Sequence, residues 1–385
     1  MTLNIDKNSR KIAFMTTSMG WGGLEMNVLK IAKSLSQLDY NITLITQERS
    51  PIYIRGKDSF SEVIILLKTR KYFEIGLAFQ ISKSLRNKEI QTLMVFENKD
   101  LDVIAWAKKL FFKGLKVIYQ QQMQIGINKR DFIHDFRFKT INYWISPLQY
   151  LKNEVIKKTN FYADRIKVIP LCTQTSKYVD REYSKLEARQ ALNIFPKAPL
   201  LGIIGRITRK KGQLFLLEAL IELKNRGIEM ELLIFGSATV NDQESKNYHE
   251  LILQFVKKNE IENIVHFVKH QEDVNVFYNA IDVFALASHS ETFGMVTVEA
   301  MLSKLPILAT KSGGTSEILG YGKYGLLYEY ENHLDFCQNV SWLLNNKIEV
   351  DKMSCDAKEV ASKNYSLERE VEEIDKLIRT LVFEG

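Results

Sequence analysis

The chain has 385 residues, 45% apolar and 26% charged, which suits a globular protein larger than one hydrophobic core commonly organises. Its three cysteines, Cys172, Cys337 and Cys355, show no metal-ligand spacing and exclude a disulfide framework, so they read as reduced thiols. The net charge of +7 hides an asymmetry: residues 1–197 hold 33 Lys and Arg against 18 Asp and Glu, and the remainder 20 against 28. Such a basic front half suits a membrane surface, an acidic glycan or a nucleic acid, or simply a soluble lysine-rich exterior.

After a polar start, Ile12-Ala13-Phe14-Met15 is too short for a signal-peptide core. No run of about 18 apolar residues follows, so a cytoplasmic protein is expected. In the front half, strands are expected at 11–17, 42–47, 92–96, 116–119 and 166–169, with helices at 24–38, 73–87 and 149–158. The polar stretch 173–197 marks a boundary. Beyond it strands at 200–204, 231–235, 264–268, 283–287 and 306–309 alternate with helices at 214–224, 248–258 and 296–302. Short apolar strands joined by helical crossovers predict an α/β fold with buried parallel sheets. The domains are expected at 1–180 and 198–365, with a final helix over 366–385 that packs back on the first domain.

Four loops leave a strand, and each carries residues suited to an anion or a hydroxyl. Ser18-Met19-Gly20-Trp21-Gly22-Gly23-Leu24-Glu25 can turn tightly and bring backbone N–H groups to an anion or sugar; a plain turn explains it equally. It lacks the G-x-G-x-x-G spacing of a dinucleotide site. Gly205-Arg206-Ile207-Thr208-Arg209-Lys210-Lys211-Gly212 sets cations at the carboxyl end of a strand, where Arg206 and Lys211 can clamp a diphosphate. Taken alone, that loop is equally a solvated basic turn. The third loop runs from Ser288-His289-Ser290-Glu291 through Thr292-Phe293-Gly294-Met295-Val296 to Glu299. The N–H groups of Gly294, Met295, Val296 and Thr297 at the helix start can hold a phosphate or a sugar hydroxyl, and Glu299 can accept from vicinal ribose hydroxyls. The fourth, Ser312-Gly313-Gly314-Thr315-Ser316-Glu317, is another glycine turn.

The order Gly205-Arg206…Lys211-Gly212, Gly236, Glu291-x7-Glu299 with Phe293-Gly294, then Gly313-Gly314…Glu317 resembles the family 4 retaining glycosyltransferases. Gly22-Gly23 and Ser146-Pro147 match the first domain more loosely. The resemblance implies the GT-B fold, two Rossmann-like domains facing across a cleft. It implies that Arg206 and Lys211 bind the donor diphosphate and assist its departure, with Glu291 on the transferred sugar and Glu299 on the ribose. Phe293, Gly294, Met295 and Val296 would lend backbone beside sugar and phosphate, Val268-Lys269 would meet the base, and Gly22 and Gly23 belong to the same donor site. No metal or other cofactor is implied, because cations and a helix dipole stand in for one and the nucleotide sugar is a substrate. Asp100-Leu101-Asp102 is expected to cap a helix. Retention implies attack on the face that the leaving group vacates, with a donor phosphate oxygen accepting the acceptor's proton.

Two departures stand out. The family's histidine after the fourth strand of the first domain is missing from Tyr119-Gln120-Gln121-Gln122-Met123-Gln124. Gln120 and Gln122 remain as contacts to sugar or acceptor, able to hydrogen-bond but not to titrate. Leu171-Cys172-Thr173 replaces the family's Asn-Gly turn. The expected donor is a UDP-sugar ahead of a GDP-sugar, and the acceptor a glycan or lipid-linked glycan in bacterial surface polysaccharide assembly. An anionic membrane on the inner face of the cell is a further candidate partner, through 68–73 or the stripe Trp106-Ala107-Lys108-Lys109-Leu110-Phe111-Phe112-Lys113. Core-facing aromatics with solvated lysines are the other explanation of both. No nucleic-acid module is recognised. The competing class is a catalytically silent nucleotide-sugar-binding or partner subunit.

Overall fold

The computed structural model describes residues 10–66, 74–179, 183–239 and 242–383. The stretch at 68–73 lies outside them. The chain divides into two compact units, Met1–Cys172 with Leu367–Gly385, and Thr173–Ser366. Among the described residues no helix is long and apolar enough to cross a membrane.

Among the described residues the first unit holds seven strands: β1 (Lys11–Met15), β2 (Asn41–Gln47), β3 (Glu62–Leu66), β4 (Thr92–Val95), β5 (Lys116–Gln120), β6 (Tyr143–Ser146) and β7 (Ile166–Val168). They lie in the order β3-β2-β1-β4-β5-β6-β7, every pair parallel. Alternate side chains of β1 serve opposite faces, as the strand period of two demands. Ile12 and Phe14 join the core of Val28, Ile31 and Ile374, whereas Ala13 and Met15 join that of Ile81, Leu85 and Val117. The helix Leu367–Phe383 completes the first of these cores with Leu367, Val371, Ile374, Ile378 and Leu381.

The second unit holds β8 (Leu200–Ile204), β9 (Glu231–Phe235), β10 (Val265–Val268), β11 (Val283–Leu286), β12 (Ile307–Thr310) and β13 (Leu326–Tyr328). Their order is β10-β9-β8-β11-β12-β13, again wholly parallel. Every residue of β8, β9, β11 and β12 is buried, the signature of a sheet covered on both faces.

The structure moves the boundary expected at 173–197. The chain leaves the first unit after Cys172 and returns after Ser366. The intervening polar stretch folds within the second unit as the helices Ser176–Val179 and Lys185–Ala191. Ser184 and Glu187 close a capping box at the second helix, and Arg189 pairs with Asp282 at 2.7 Å. Polarity there marks a surface helix, not a linker. Strands β3, β6 and β13 are additional to those expected.

Candidate functional site

In the second unit the chain builds β8, β9 and β10 in one direction, then crosses back to place β11, β12 and β13 on the other side of β8. The strand order therefore reverses between β8 and β11. Open parallel sheets bind ligands outside the carboxyl ends of their strands at such a point. The loops that leave these two strands carry Arg206 to Lys211 and Ser288 to Glu291. Lys211 Nζ meets Glu291 Oε1 at 2.6 Å, with both side chains mostly buried. Ser288 Oγ donates to the same carboxylate oxygen at 2.7 Å. Arg206 is exposed in the same loop as Lys211, and its backbone oxygen accepts from Gln213 Nε2 at 3.0 Å, which fixes the loop.

Close packing holds the two loops together. Gly212 has φ 72°, and a Cβ there would stand 2.1 Å from Ala287 O. Only glycine fits, in conformation and in space. His289 N also donates to Lys210 O at 3.0 Å. The loop after β12 joins through Gly314 N, which donates to Glu291 O at 2.9 Å.

The helix Met295–Leu302 begins at Gly294, whose φ of 96° lies in the left-handed region. Thr297 N–H donates to Gly294 O at 2.9 Å, so of the four N–H groups expected to be open this one is already bonded. Thr297 and Thr315 are wholly buried, and their hydroxyl oxygens have no hydrogen-bond partner among the described residues. A Cβ on Gly294 would lie 3.4 Å from one hydroxyl and 3.5 Å from the other. In sequence Thr297 stands out for its N–H group and Thr315 as part of a glycine turn, but neither hydroxyl has a role there.

Glu299 lies one turn into the helix and accepts from Tyr278 OH at 2.7 Å. Burial first, then the Glu299 charge, holds the Tyr278 phenol well above its ordinary value, so it stays a donor. Burial and Glu299 raise Tyr178 in the same way. Met295 and Val296 are half-buried, and Phe293 is buried against the Tyr365 ring at 5.9 Å. Val268 O accepts from Gly236 N at 2.8 Å at the end of β10, and Lys269 is exposed. Arg206, Lys211, Glu291 and the Gly294 helix start thus share one end of one sheet.

The expected contacts of the first unit fare differently. Gly22 N donates to Glu25 Oε2 at 2.8 Å, so the helix's own buried carboxylate takes that N–H. Gln120 is wholly buried, and its Nε2 donates to Glu370 Oε1 at 3.1 Å. As the last residue of β5 it faces the C-terminal helix, which corrects its reading as a ligand contact. Gln122 is half-buried. Asp100 does not cap its helix: Thr17 N and Thr17 Oγ1 donate to its two oxygens at 3.0 and 2.5 Å. Burial, then Glu97, pushes its carboxyl up to about 7. Among the described residues no group of three or more His, Cys, Asp or Glu is disposed to hold a metal ion.

Residues 184–360 match the family model described as glycosyl transferases group 1. The chain is 28% identical to a probable sucrose-phosphate synthase of Thermosipho melanesiensis, over 60% of this chain and 51% of that protein. It is 25% identical to the capsular polysaccharide biosynthesis glycosyltransferase CapM of Staphylococcus aureus, over 48% of this chain and 47% of that one. The matched stretch thus spans about half the length of either relative. The crystal structure of Anabaena HepE in complex with UDP superposes with a TM-score of 0.83 at 20% identity, covering 96% of this chain and 100% of that one. That likeness establishes the fold, GT-B, built from two Rossmann-like units. The matched residues contain Lys211, Glu291 and Glu299, so it is the second unit that is similar to the glycosyl transferases group 1 family.

Proposed function

We propose that this chain is a retaining glycosyltransferase that moves a sugar from a nucleotide-sugar donor to a glycan or lipid-linked acceptor in bacterial surface polysaccharide assembly. The observation that carries the reading is the Lys211–Glu291 pair, 2.6 Å apart at the point where the strand order of the second unit reverses. In this reading Lys211 and Arg206 hold the donor diphosphate, and their charges stabilise the nucleoside diphosphate as it leaves. Glu291, oriented by Ser288, accepts from hydroxyls of the transferred sugar. Glu299 holds the ribose: two phenols border it, and a carboxylate has lone pairs enough for vicinal hydroxyls as well.

The backbone of Phe293, Gly294, Met295 and Val296 borders the sugar and phosphate, and that of Val268 and Lys269 the base. The acceptor attacks on the face that the leaving group vacates and gives its proton to a donor phosphate oxygen. No metal takes part. A UDP-sugar is preferred to a GDP-sugar, supported by the fold shared with HepE, which was solved with UDP. The relative named for capsular polysaccharide biosynthesis supports the acceptor class.

The test is turnover of a panel of nucleotide sugars by the purified chain, with and without a chelator. Lys211→Ala and Glu299→Ala should each lower turnover by about a hundredfold or more while circular dichroism stays native, and chelator should change nothing. Near-normal rates in both variants would remove the donor site, and strong inhibition by chelator would remove the metal-free mechanism. A second reading, a catalytically silent donor-binding subunit, draws on Gln120, which stands buried in the stretch where the family resemblance implies a histidine. Tight donor binding without turnover of any donor would favour it.

A further inference from the structure

We propose that the first unit docks on an anionic lipid bilayer. The docking surface is formed by the wide turn Ala107–Phe111, the helix Phe132–Phe138 and the end of the helix Gln149–Lys158. The segment after β5 turns apolar side chains to solvent: Ile127 is 69% exposed, Phe132 81% and Ile133 42%. Single exposed apolar residues are ordinary on a soluble protein; these are neighbours. Phe132 lies one turn before Phe136, so both share a helix face. The Phe136 ring packs on Trp106 at 4.5 Å and sits under Lys109 Nζ at 4.1 Å. Leu110, next in the turn, is 51% exposed. On the other flank Arg130 Nη2 donates to Ile156 O at 3.2 Å and Lys129 N to Lys158 O at 2.8 Å, which seats the Ile127 loop against that helix end. Ile156 is exposed there too.

The same segments carry cations, with Lys109 over Phe136 and Arg130 bonded to Ile156 O. Lys109, Lys113, Arg130, Lys157 and Arg165 are exposed. The neighbouring acids Asp131, Asp135 and Glu154 already face His134, Lys139 and Lys158. The positive excess is felt nearby: burial, then Lys116 and Arg165, lowers the Lys108 ammonium to about 8. A bilayer interface satisfies both halves of such a surface. Phenylalanine and isoleucine sink to the acyl boundary, and long basic side chains reach the lipid phosphates. The stripe at Trp106 therefore does two things. Trp106, Phe111 and Phe112 pack against the core, while Lys109 and Leu110 face outward. This surface belongs to a different unit from the Lys211–Glu291 pair, so it can fail while the donor site stands.

The test is co-sedimentation of the full chain with vesicles. Phosphatidylcholine containing about one third phosphatidylglycerol should carry the protein down at low salt, with binding falling as salt screens the charges, and pure phosphatidylcholine should not. The double variants K109E/K157E and F132S/I133S should each lower bound protein by roughly tenfold, with unchanged melting temperatures. The control K33E/K57E makes the same charge change elsewhere on the unit and should bind like wild type. Equal loss in the control would show that net charge, not this surface, acts. Equal binding to both vesicles, or to neither, would overturn the proposal, as would F132S/I133S retaining full binding.

Discussion

At the scale of single residues the site is defined by side chains that come from separate loops and are fixed before any ligand arrives. Ser288 holds Glu291 from the same turn, while Tyr278 holds Glu299 from a different helix. Gly212 brings the two loops together because only hydrogen fits against Ala287 O. Replacing it with alanine forces a side chain into the left-handed region and into a carbonyl. Gly212→Ala should cost at least about 2 kcal/mol in denaturant unfolding, and an unchanged midpoint would show that the loops can part freely. That the loops around Lys211, Glu291 and Glu299 suit an anion or a hydroxyl could be read from sequence because turn chemistry is local. The hydroxyls of Thr297, Thr315 and Tyr278 could not, since their significance depends on what lies beside them in space. Gln120 was misread for the same reason: its partner Glu370 stands 250 positions away.

At the scale of elements, the C-terminal helix does for the first unit what a crossover helix does within it. Its apolar stripe fills the core beneath β1, and Tyr40 OH donates to Asp375 at 2.7 Å on its flank. Its one buried acid, Glu370, accepts from Cys172 N at 3.0 Å and from Gln120, while Lys30 Nζ donates to Cys172 O at 3.1 Å. Burial raises this carboxyl from 4.5 to about 7, outweighing the lowering by Lys30 and the hydrogen bonds. Between those values the native chain binds more protons than the unfolded one. The associated stability is therefore full below about 4.5 and is lost as pH rises through about 7. Glu370→Gln should flatten the fall in melting temperature between about pH 4.5 and 7; an unaltered slope would place the titration elsewhere, with Asp100 the next group to replace.

The helices from 213 and 295 and most central strands were legible from period and turn residues, with ends shifted by a residue or two. β3, β6 and β13 were not. β3 and β13 are edge strands that pair only with β2 and with β12 and are partly exposed, so their apolar pattern is weak.

At the scale of the whole molecule, two parallel sheets share one chain, and each reverses its strand order at one place. In the first unit that place lies between β1 and β4, where Thr16 Oγ1 donates to Glu97 at 2.9 Å and Lys99 pairs with Glu97 at 2.9 Å. In the second it lies at Lys211 and Glu291. Counted by unit the charge asymmetry is milder than by halves of the sequence. The first unit holds 31 Lys and Arg against 21 Asp and Glu, because the C-terminal helix returns acids to it, and the second 22 against 25. The basic excess persists, and the surface around Phe132 gives it a place. The fold class was readable because alternating strand and helix patterns admit few topologies. The return of the chain after Ser366 was anticipated from a helix lacking a following strand, while the outward crossing was set too late because surface helices share a linker's polarity.

The most direct test of the proposed donor site is calorimetric titration of the chain with UDP. The account predicts saturable binding at one site per chain, weakened by about tenfold or more in Lys211→Ala and in Glu299→Ala. Unchanged affinity in both variants, or no heat with UDP and with GDP alike, would contradict it.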